Sequence, residues 1–369
     1  MFRIFESNRS VSSALTAATV LAAAVQAILA AFSVRVVGAE PRAPGYRVIK
    51  KIAPGGEGGW DYLTLDPTAH RLYIARSDRV MLFDVERAAP IGEIPNTPGV
   101  HGVAIVSKLG RGFTSNGGDS TVTVFDLKTL KEVGHIGVGK RPDGILYDSQ
   151  SARLFTFNSG TSDATAIDPA LEKVVGTIPL GGKPEAAVAD GKGHVFVCIE
   201  DKGEVLDLDA RKLSVAHHWP VAPGQTPVGL SMDLLRRRLF CTCRNGKMVV
   251  LNANGGAVVA SLPIGQHTDG CAFDPATGLA FSSNGDGTLT VVRTDPRDLD
   301  SVAETVTTQT GARTMALDPT THNLFLVTAV AQPGKPREYE PNTFVIIVVA
   351  KPEKPLNRPG LPSPLPRLK

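Results

Sequence analysis

The sequence is poor in cysteine, poor in aromatic residues and without a surplus of either charge. Four cysteines are spread over 369 residues with no C-x-x-C-H string, which excludes covalently attached c-type haem and matches no metal-site spacing. Aromatic residues make up 6%, a fraction that suits Val- and Ile-rich strands. The formal charge is +3, and most of it lies at the ends. Without the leading Arg3, Glu6, Arg9 and Arg35 there remain 36 basic and 35 acidic residues, and the tail from Lys351 holds five of those bases against Glu353. The middle of the chain is therefore about −3, which is not the electrostatic footprint of a nucleic-acid binder. No glycine loop cradles a phosphate either, because GVGK and GGKP follow strand patterns and open no helix. No ordered nucleophile–base motif is visible.

What is abundant is turn chemistry, with 37 glycines and 27 prolines. Between the turns, short apolar runs alternate with period-2 runs at a fixed spacing. The start of the first strand of each unit can be aligned at Asp61, His101, Asp143, Glu185, Val228, Asp269 and Arg313. Successive starts are 40, 42, 42, 43, 41 and 44 residues apart. A period in the forties with several short strands per unit is the signature of a propeller blade. The spacing thus predicts an all-β chain folded as a seven-bladed β-propeller of four-stranded blades.

The most specific strings are SDRVMLFDVE, TVTVFDLKTLKEVGHIGVGK and GLAFSSNGDGTLTVV, with RLYIAR, RLFTFN and RLFCTC before the central turn. Over roughly residues 46 to 350 the chain resembles the YVTN-repeat family of β-propellers, which includes the YncE-like proteins. The resemblance implies the fold far more than an activity, since propellers host many unrelated functions. Some YncE-like proteins are associated with DNA binding. The charge of this chain argues against carrying that over.

The first 39 residues read as an export signal: Arg3 and Arg9, an apolar stretch from Ala14 to Phe32, then Val37-Gly38-Ala39 as a small-residue cleavage site. An uncleaved anchor is the rival reading, because the stretch approaches the length of a membrane span. Either way the propeller, residues 40–352, is expected in the periplasm or secreted, with no integral membrane domain if the signal is cleaved. Tyr46 to Pro54 looks like the last strand of a unit that lacks its first three, whereas Thr343 to Lys351 supplies a third strand with nothing after it. The N-terminal strand should therefore complete the last blade and close the ring. The same blade is interrupted by Ala331 to Asn342, and insertions within a repeat map to loops, often on a binding face. Residues 353–369 are Pro-rich and basic and read as an extended or disordered tail.

Asp84, Asp126, Asp168, Asp209 and Asn252 end third strands and are assigned to hairpin turns. Cys241 and Cys243 share a strand face; the readings for Cys198, Cys241, Cys243 and Cys271 are buried free thiols, one disulfide joining Cys243 to Cys271 or Cys198, or a metal.

Chemistry is expected where the blades meet the central channel. The first-strand ring places Asp61, His101, Asp143, Glu185, Asp269 and Arg313 at one mouth. A second ring, from the ends of the second strands, adds Arg76, Asn116, Asn158, Glu200, Arg244 and Asn284. Trp60 offers either a stacking surface there or a plug for the channel. Carboxylates and an imidazole on one axis could hold a divalent cation, with His101, Asp143, Glu185 and Asp269 as ligands. Arg313 could instead neutralise Asp269 or Asp61. Three functions follow: a module that binds a small-molecule or protein ligand at the mouth, a metal-assisted, lactonase-like hydrolase or lyase acting there, or a structural envelope scaffold. A monomer is expected.

Overall fold

The computed structural model describes residues 45–352; the export-signal and tail readings fall outside them. Seven four-stranded antiparallel sheets are present, each running in chain order from an inner to an outer strand except the last. Blade 2 shows the plan with strands Val100–Val106, Arg111–Asn116, Thr121–Asp126 and Glu132–Gly137. The second and third strands are covered by a neighbouring blade on each face, so RGFTSN and TVTVFD are buried almost throughout. The outer strand EVGHIG meets solvent and is mostly exposed. Continuous apolar runs inside and polar runs outside are what this arrangement demands.

The core is divided among the blade interfaces. Each of the seven interfaces has its own buried cluster: Tyr73, Leu82 and Phe125 between blades 1 and 2, for example, and Phe83, Phe325 and Ile346 between blades 7 and 1. Arginines that open second strands clamp the rims. Arg71 donates to the carbonyl of Leu127 at 2.8 Å and Arg153 to that of Ala210 at 2.7 Å, while Arg238 pairs with Asp298 at 2.7 Å. This accounts for the repeated Arg-Leu at that position in the sequence.

The assigned turn residues act as turns. Asp84 accepts from the amides of Glu86 and Arg87, Asp126 from Lys128 and Thr129, Asp168 from Ala170 and Leu171, and Asp209 from Arg211 and Lys212, all at 2.8–3.0 Å. Asn252 accepts from Asn254 at 2.9 Å. Self-bonding of this kind fixes a hairpin locally.

The ring closes as the two incomplete ends require. Arg47–Ile52 pairs with Val345–Ala350, which pairs with Leu324–Thr328 and then Met315–Leu317. Tyr46 packs edge-on against Phe281 at 5.2 Å, and its amide donates to Glu304 at 2.8 Å, so blade 6 also holds the closing strand. The inner strands touch in sequence around the axis, ending with Met315–Leu317 against Leu63–Asp66. The insertion in blade 7 forms a small hairpin, Ala331–Gln332 with Lys335–Tyr339. No helix among the described residues is long and apolar enough to cross a membrane.

The four cysteines are free thiols, and their geometry differs from the expected pairs. Cys198 lies across the blade 4–5 interface from Cys241, with sulfurs 3.8 Å apart. Cys243 faces its own strand's Cys241 carbonyl, and Cys271 approaches Ser231 at 3.1 Å. The neighbour of Cys198 is thus Cys241, with which it shares the cluster between blades 4 and 5.

Two outcomes follow. Removing residues 40–56 takes out the closing strand and opens the edge of Val345–Ala350, so cooperative thermal unfolding should be lost; removing residues 353–369 takes out none of the described strands and should leave the midpoint within about 1.5 °C, the shift that about 1 kcal/mol produces at this size. Burial raises the Cys198 thiol and pushes Cys271 up to about 12. A thiol-specific disulfide reagent should therefore label none of the four rapidly in the native protein and all four after denaturation; rapid native labelling would contradict this packing.

Candidate functional site

The mouth of the channel is shaped by a local irregularity repeated in five blades. The pairing of first and second strands slips between Val100 and Gly102, Pro142 and Ile145, Pro184 and Ala187, Pro227 and Gly229, and Thr268 and Gly270. His101, Asp143, Glu185, Val228 and Asp269 all lie within these slips. A bulge leaves a residue unpaired and re-aims its side chain. The glycine that follows in four of the five lets the next blade approach: a Cβ on Gly144 would lie 2.9 Å from the Glu185 carbonyl, and one on Gly270 3.1 Å from that of Arg313. Asp61 and Arg313 precede the shortened first strands of blades 1 and 7.

The resulting mouth has two unlike halves. On the side of blades 4 to 7, carboxylates and fixed cations alternate. Arg244 donates to Glu200 at 2.6 Å and lies 3.5 Å from Asp269; Arg313 donates to Asp269 at 2.9 Å; Lys183 contacts Glu200 and stands 3.6 Å from Glu185. The Tyr62 hydroxyl donates to Glu185 at 3.4 Å. On the side of blades 1 to 3, His101 Nδ1 lies 2.5 Å from Asp61 and 3.7 Å from Asp143. Neither of those two aspartates has a Lys or Arg ion pair among the described residues.

Crowding sets the protonation of this ring. Burial raises Asp143 to about 7, opposed by His101 and reinforced by Asp61 and Asp269. Burial likewise raises Glu185 to about 9, with Asp143, Asp269 and Glu200 adding repulsion. Burial alone would lower His101; the hydrogen bond to Asp61 and the charges of Asp143 and Asp61 outweigh it and bring it to about 9. Asp269 is raised by burial in spite of its two arginines.

Two cavities adjoin the ring. One of about 210 Å³ lies on the axis, lined by Tyr62, Gly102, Gly144, Gly229, Asp269 and Thr314. The other, about 580 Å³, opens at the mouth between Arg244, His267, Asp269 and Arg313 on one side and Gly59 with Tyr339 of the inserted hairpin on the other.

Several residues expected at the mouth are held elsewhere. Asn116, Asn158 and Asn284 are fully buried and latch their own blades. Each accepts from the hydroxyl two residues before it and donates to two third-strand side chains: Asn116 to the hydroxyls of Thr121 at 3.0 Å and Thr123 at 2.8 Å, Asn284 to those of Thr288 and Thr290, and Asn158 to the Asp163 carboxylate at 2.6 Å and the Thr165 hydroxyl at 2.9 Å. Arg76 is also fully buried; it gathers the carbonyls of Glu57, Gly58 and Gly59 at 2.7–3.3 Å and stacks on Phe344 at 3.6 Å. Trp60 neither plugs the channel nor presents an open face: it is 6% exposed in the blade 7–1 core, 4.5 Å from Tyr339, with Arg313 over its ring at 5.4 Å. Of the second ring, Glu200 and Arg244 do reach the mouth. Of the four residues expected to hold a cation, His101 and Asp143 come together with Asp61, whereas Glu185 and Asp269 are engaged by Lys183 and the two arginines.

No protein-family model matches the chain, and no curated protein does. Among solved structures, a chain from the Kuenenia stuttgartiensis hydrazine synthase aligns with a TM-score of 0.66 at 16% identity, covering 73% of this chain and 92% of its own. A chain from a mitotic checkpoint complex aligns with a TM-score of 0.69 at 12% identity, covering 85% and 94%. The likeness is one of fold alone. It is the seven-bladed β-propeller fold, and at these identities the site residues above are this chain's own.

The raised groups give a pH dependence. Asp143 and Glu185 bind more protons folded than unfolded between the ordinary carboxylate range and about 7 or 9, and His101 does so between about 6.5 and 9. Stability from this ring is full below the unfolded carboxylate pKa and is lost as pH rises through the folded values. The thermal midpoint should fall from pH 5 to pH 9.5, and Glu185→Gln should flatten the upper part of that fall; a midpoint rising over this range in the wild type would contradict the assignment.

Proposed function

We propose that the protein is an exported propeller of the YVTN/YncE-like type whose channel-mouth face binds a small polar ligand or a protein side chain. The observation that carries this reading is the bulge-aimed ring of charge beside the 580 Å³ cleft that the blade 7 insertion borders with Tyr339. A ring serving closure alone does not need ionisable side chains at four of its five bulged positions. The side of Asp61 and Asp143 favours a ligand group that is cationic or donates hydrogen bonds, and Tyr339 offers it an apolar wall. Export rests on the N-terminal sequence pattern, and the family on the repeat strings.

A protein partner suits the fold as well, since one structural neighbour is a chain of a mitotic checkpoint complex. Nucleic acid does not suit a propeller of about −3. The scaffold reading would fit a mouth paired throughout with fixed cations; here only one half is so paired. The hydrolase or lyase reading turns on whether the other half holds a cation.

The test is a thermal-shift and native mass-spectrometry screen of amines, amino acids and cationic peptides in the presence of chelator. A ligand at a hundred times its Kd stabilises by about 2.7 kcal/mol, a shift of a few degrees for a domain of this size. The shift should vanish with Asp143→Ala combined with Glu185→Ala. A ligand whose shift survives that double substitution would place the binding face elsewhere.

A further inference from the structure

We infer that the acidic half of the mouth is a divalent-cation site, with Asp61, His101 and Asp143 as protein ligands and water completing the shell on the channel side. This goes beyond the mouth-binding reading and does not depend on it. Three observations carry it. First, one ligand atom from each of the three residues lies within 4.8 Å of the other two. Bonds of about 2.0–2.2 Å to imidazole nitrogen and carboxylate oxygen put neighbouring ligand atoms about 3.3–3.6 Å apart in a tetrahedral shell. The present separations of 2.5 Å and 3.7 Å from His101 Nδ1 bracket that range, so a cation replacing the imidazole proton needs only small side-chain adjustments.

Second, the imidazole is seated for this orientation. A Cβ on Gly117 would lie 2.7 Å from His101 Nε2 and 2.9 Å from Cδ2. The missing side chain at 117 is therefore what allows the ring to lie against the blade 2 turn with Nδ1 facing both carboxylates. The backbone at Gly117 is not left-handed, and the next nearest atom to such a Cβ, the Gly99 carbonyl oxygen at 3.3 Å, crowds it less than the imidazole does.

Third, the charge around the mouth is uneven in the way a cation would even out. Glu185, Glu200 and Asp269 are each within ion-pair distance of Lys183, Arg244 or Arg313. Among the described residues, Asp61 and Asp143 share one imidazole and have no ammonium or guanidinium within ion-pair distance. Fixed cations thus remove Glu185 and Asp269 from the ligand set and leave this trio. One nitrogen with two carboxylate oxygens suits zinc and its first-row neighbours better than calcium or magnesium, which prefer all-oxygen shells. Three protein ligands with an open position is also the pattern of zinc sites that hold a reactive water, so this is where a hydrolytic activity would reside.

The experiment is titration of the chelator-stripped, full-length protein with Zn²⁺ by calorimetry and with Co²⁺ by visible absorption. One equivalent should bind per chain. Asp61→Asn combined with Asp143→Asn should weaken binding at least a hundredfold; Gly117→Ala, with every ligand intact, should weaken it about ten- to a hundredfold, as loss of ligand support does; His217→Gln on the outer strand should leave it unchanged. Wild-type binding no tighter than that of the double variant would overturn the inference. Should a variant fail to fold, as judged by its unfolding midpoint in chelator, the wild type alone decides: Zn²⁺ should perturb the His101 imidazole resonance first, and a response confined to surface histidines such as His217 and His218 would overturn the assignment. The ligand screen described above is run in chelator, so failure here leaves that reading intact and failure there leaves this one.

Discussion

The structure depends on the pairing of Arg47–Ile52 with Val345–Ala350. Every blade interface buries its own cluster, and a ring of seven such interfaces exists only if the first and last are joined. An open arc would leave a strand edge bare and one apolar blade face in water, both of which favour association with other chains. The seam is held by backbone pairing, by the Tyr46–Phe281 contact and by the Glu304 carboxylate that takes the amides of Gly45 and Tyr46. The mouth inherits its shape from this closure, because its first and last ring residues, Asp61 and Arg313, stand on the two sides of the seam: Thr314 donates to the carbonyl of Asp61 at 3.0 Å.

Repetition and difference divide the labour within the chain. Turn aspartates, rim arginines and the Asn–Thr latches recur because each blade must solve the same problem of strand reversal and packing. The first-strand bulges recur too, yet the residue inside each bulge varies: His, Asp, Glu, Val, Asp. A fixed backbone device presenting variable side chains to one axis is a scaffold for recognition, and specificity then lies in how the ring's charges are balanced.

Much of this was legible in the sequence. A period in the forties, a last strand without its predecessors and a blade without its outer strand are enough to give the seven blades and their closure. The inner ring was legible because the position before each apolar run is polar in most units. The second ring was not. The end of a second strand marks the correct rim but not the direction of its side chain, and direction is decided by third-strand partners: Thr121 and Thr123 turn Asn116 inward, as Asp163 and Thr165 turn Asn158. The strings Thr-x-Thr or Asp-x-Thr after Ser/Thr-x-Asn carry that information. The burial of Trp60 is hidden from the sequence for a related reason, since the residues that cover it, Tyr339 and Phe344, lie nearly three hundred positions away. Lys183 carries no such signal because it lies in a connection, outside both rings, two residues before Glu185. Gly117 left no signal at all beyond being one glycine of a pair.

The inserted hairpin has a consequence through its neighbour. Tyr339 forms one wall of the mouth cleft and at the same time packs on Trp60, which belongs to the cluster that joins blade 7 to blade 1. Whatever occupies the cleft therefore rests on the joint of the ring. Occupancy and closure are linked equilibria, and each must favour the other by the same free energy. A ligand here would act as a clasp on the toroid, and a looser joint would show itself as weaker binding.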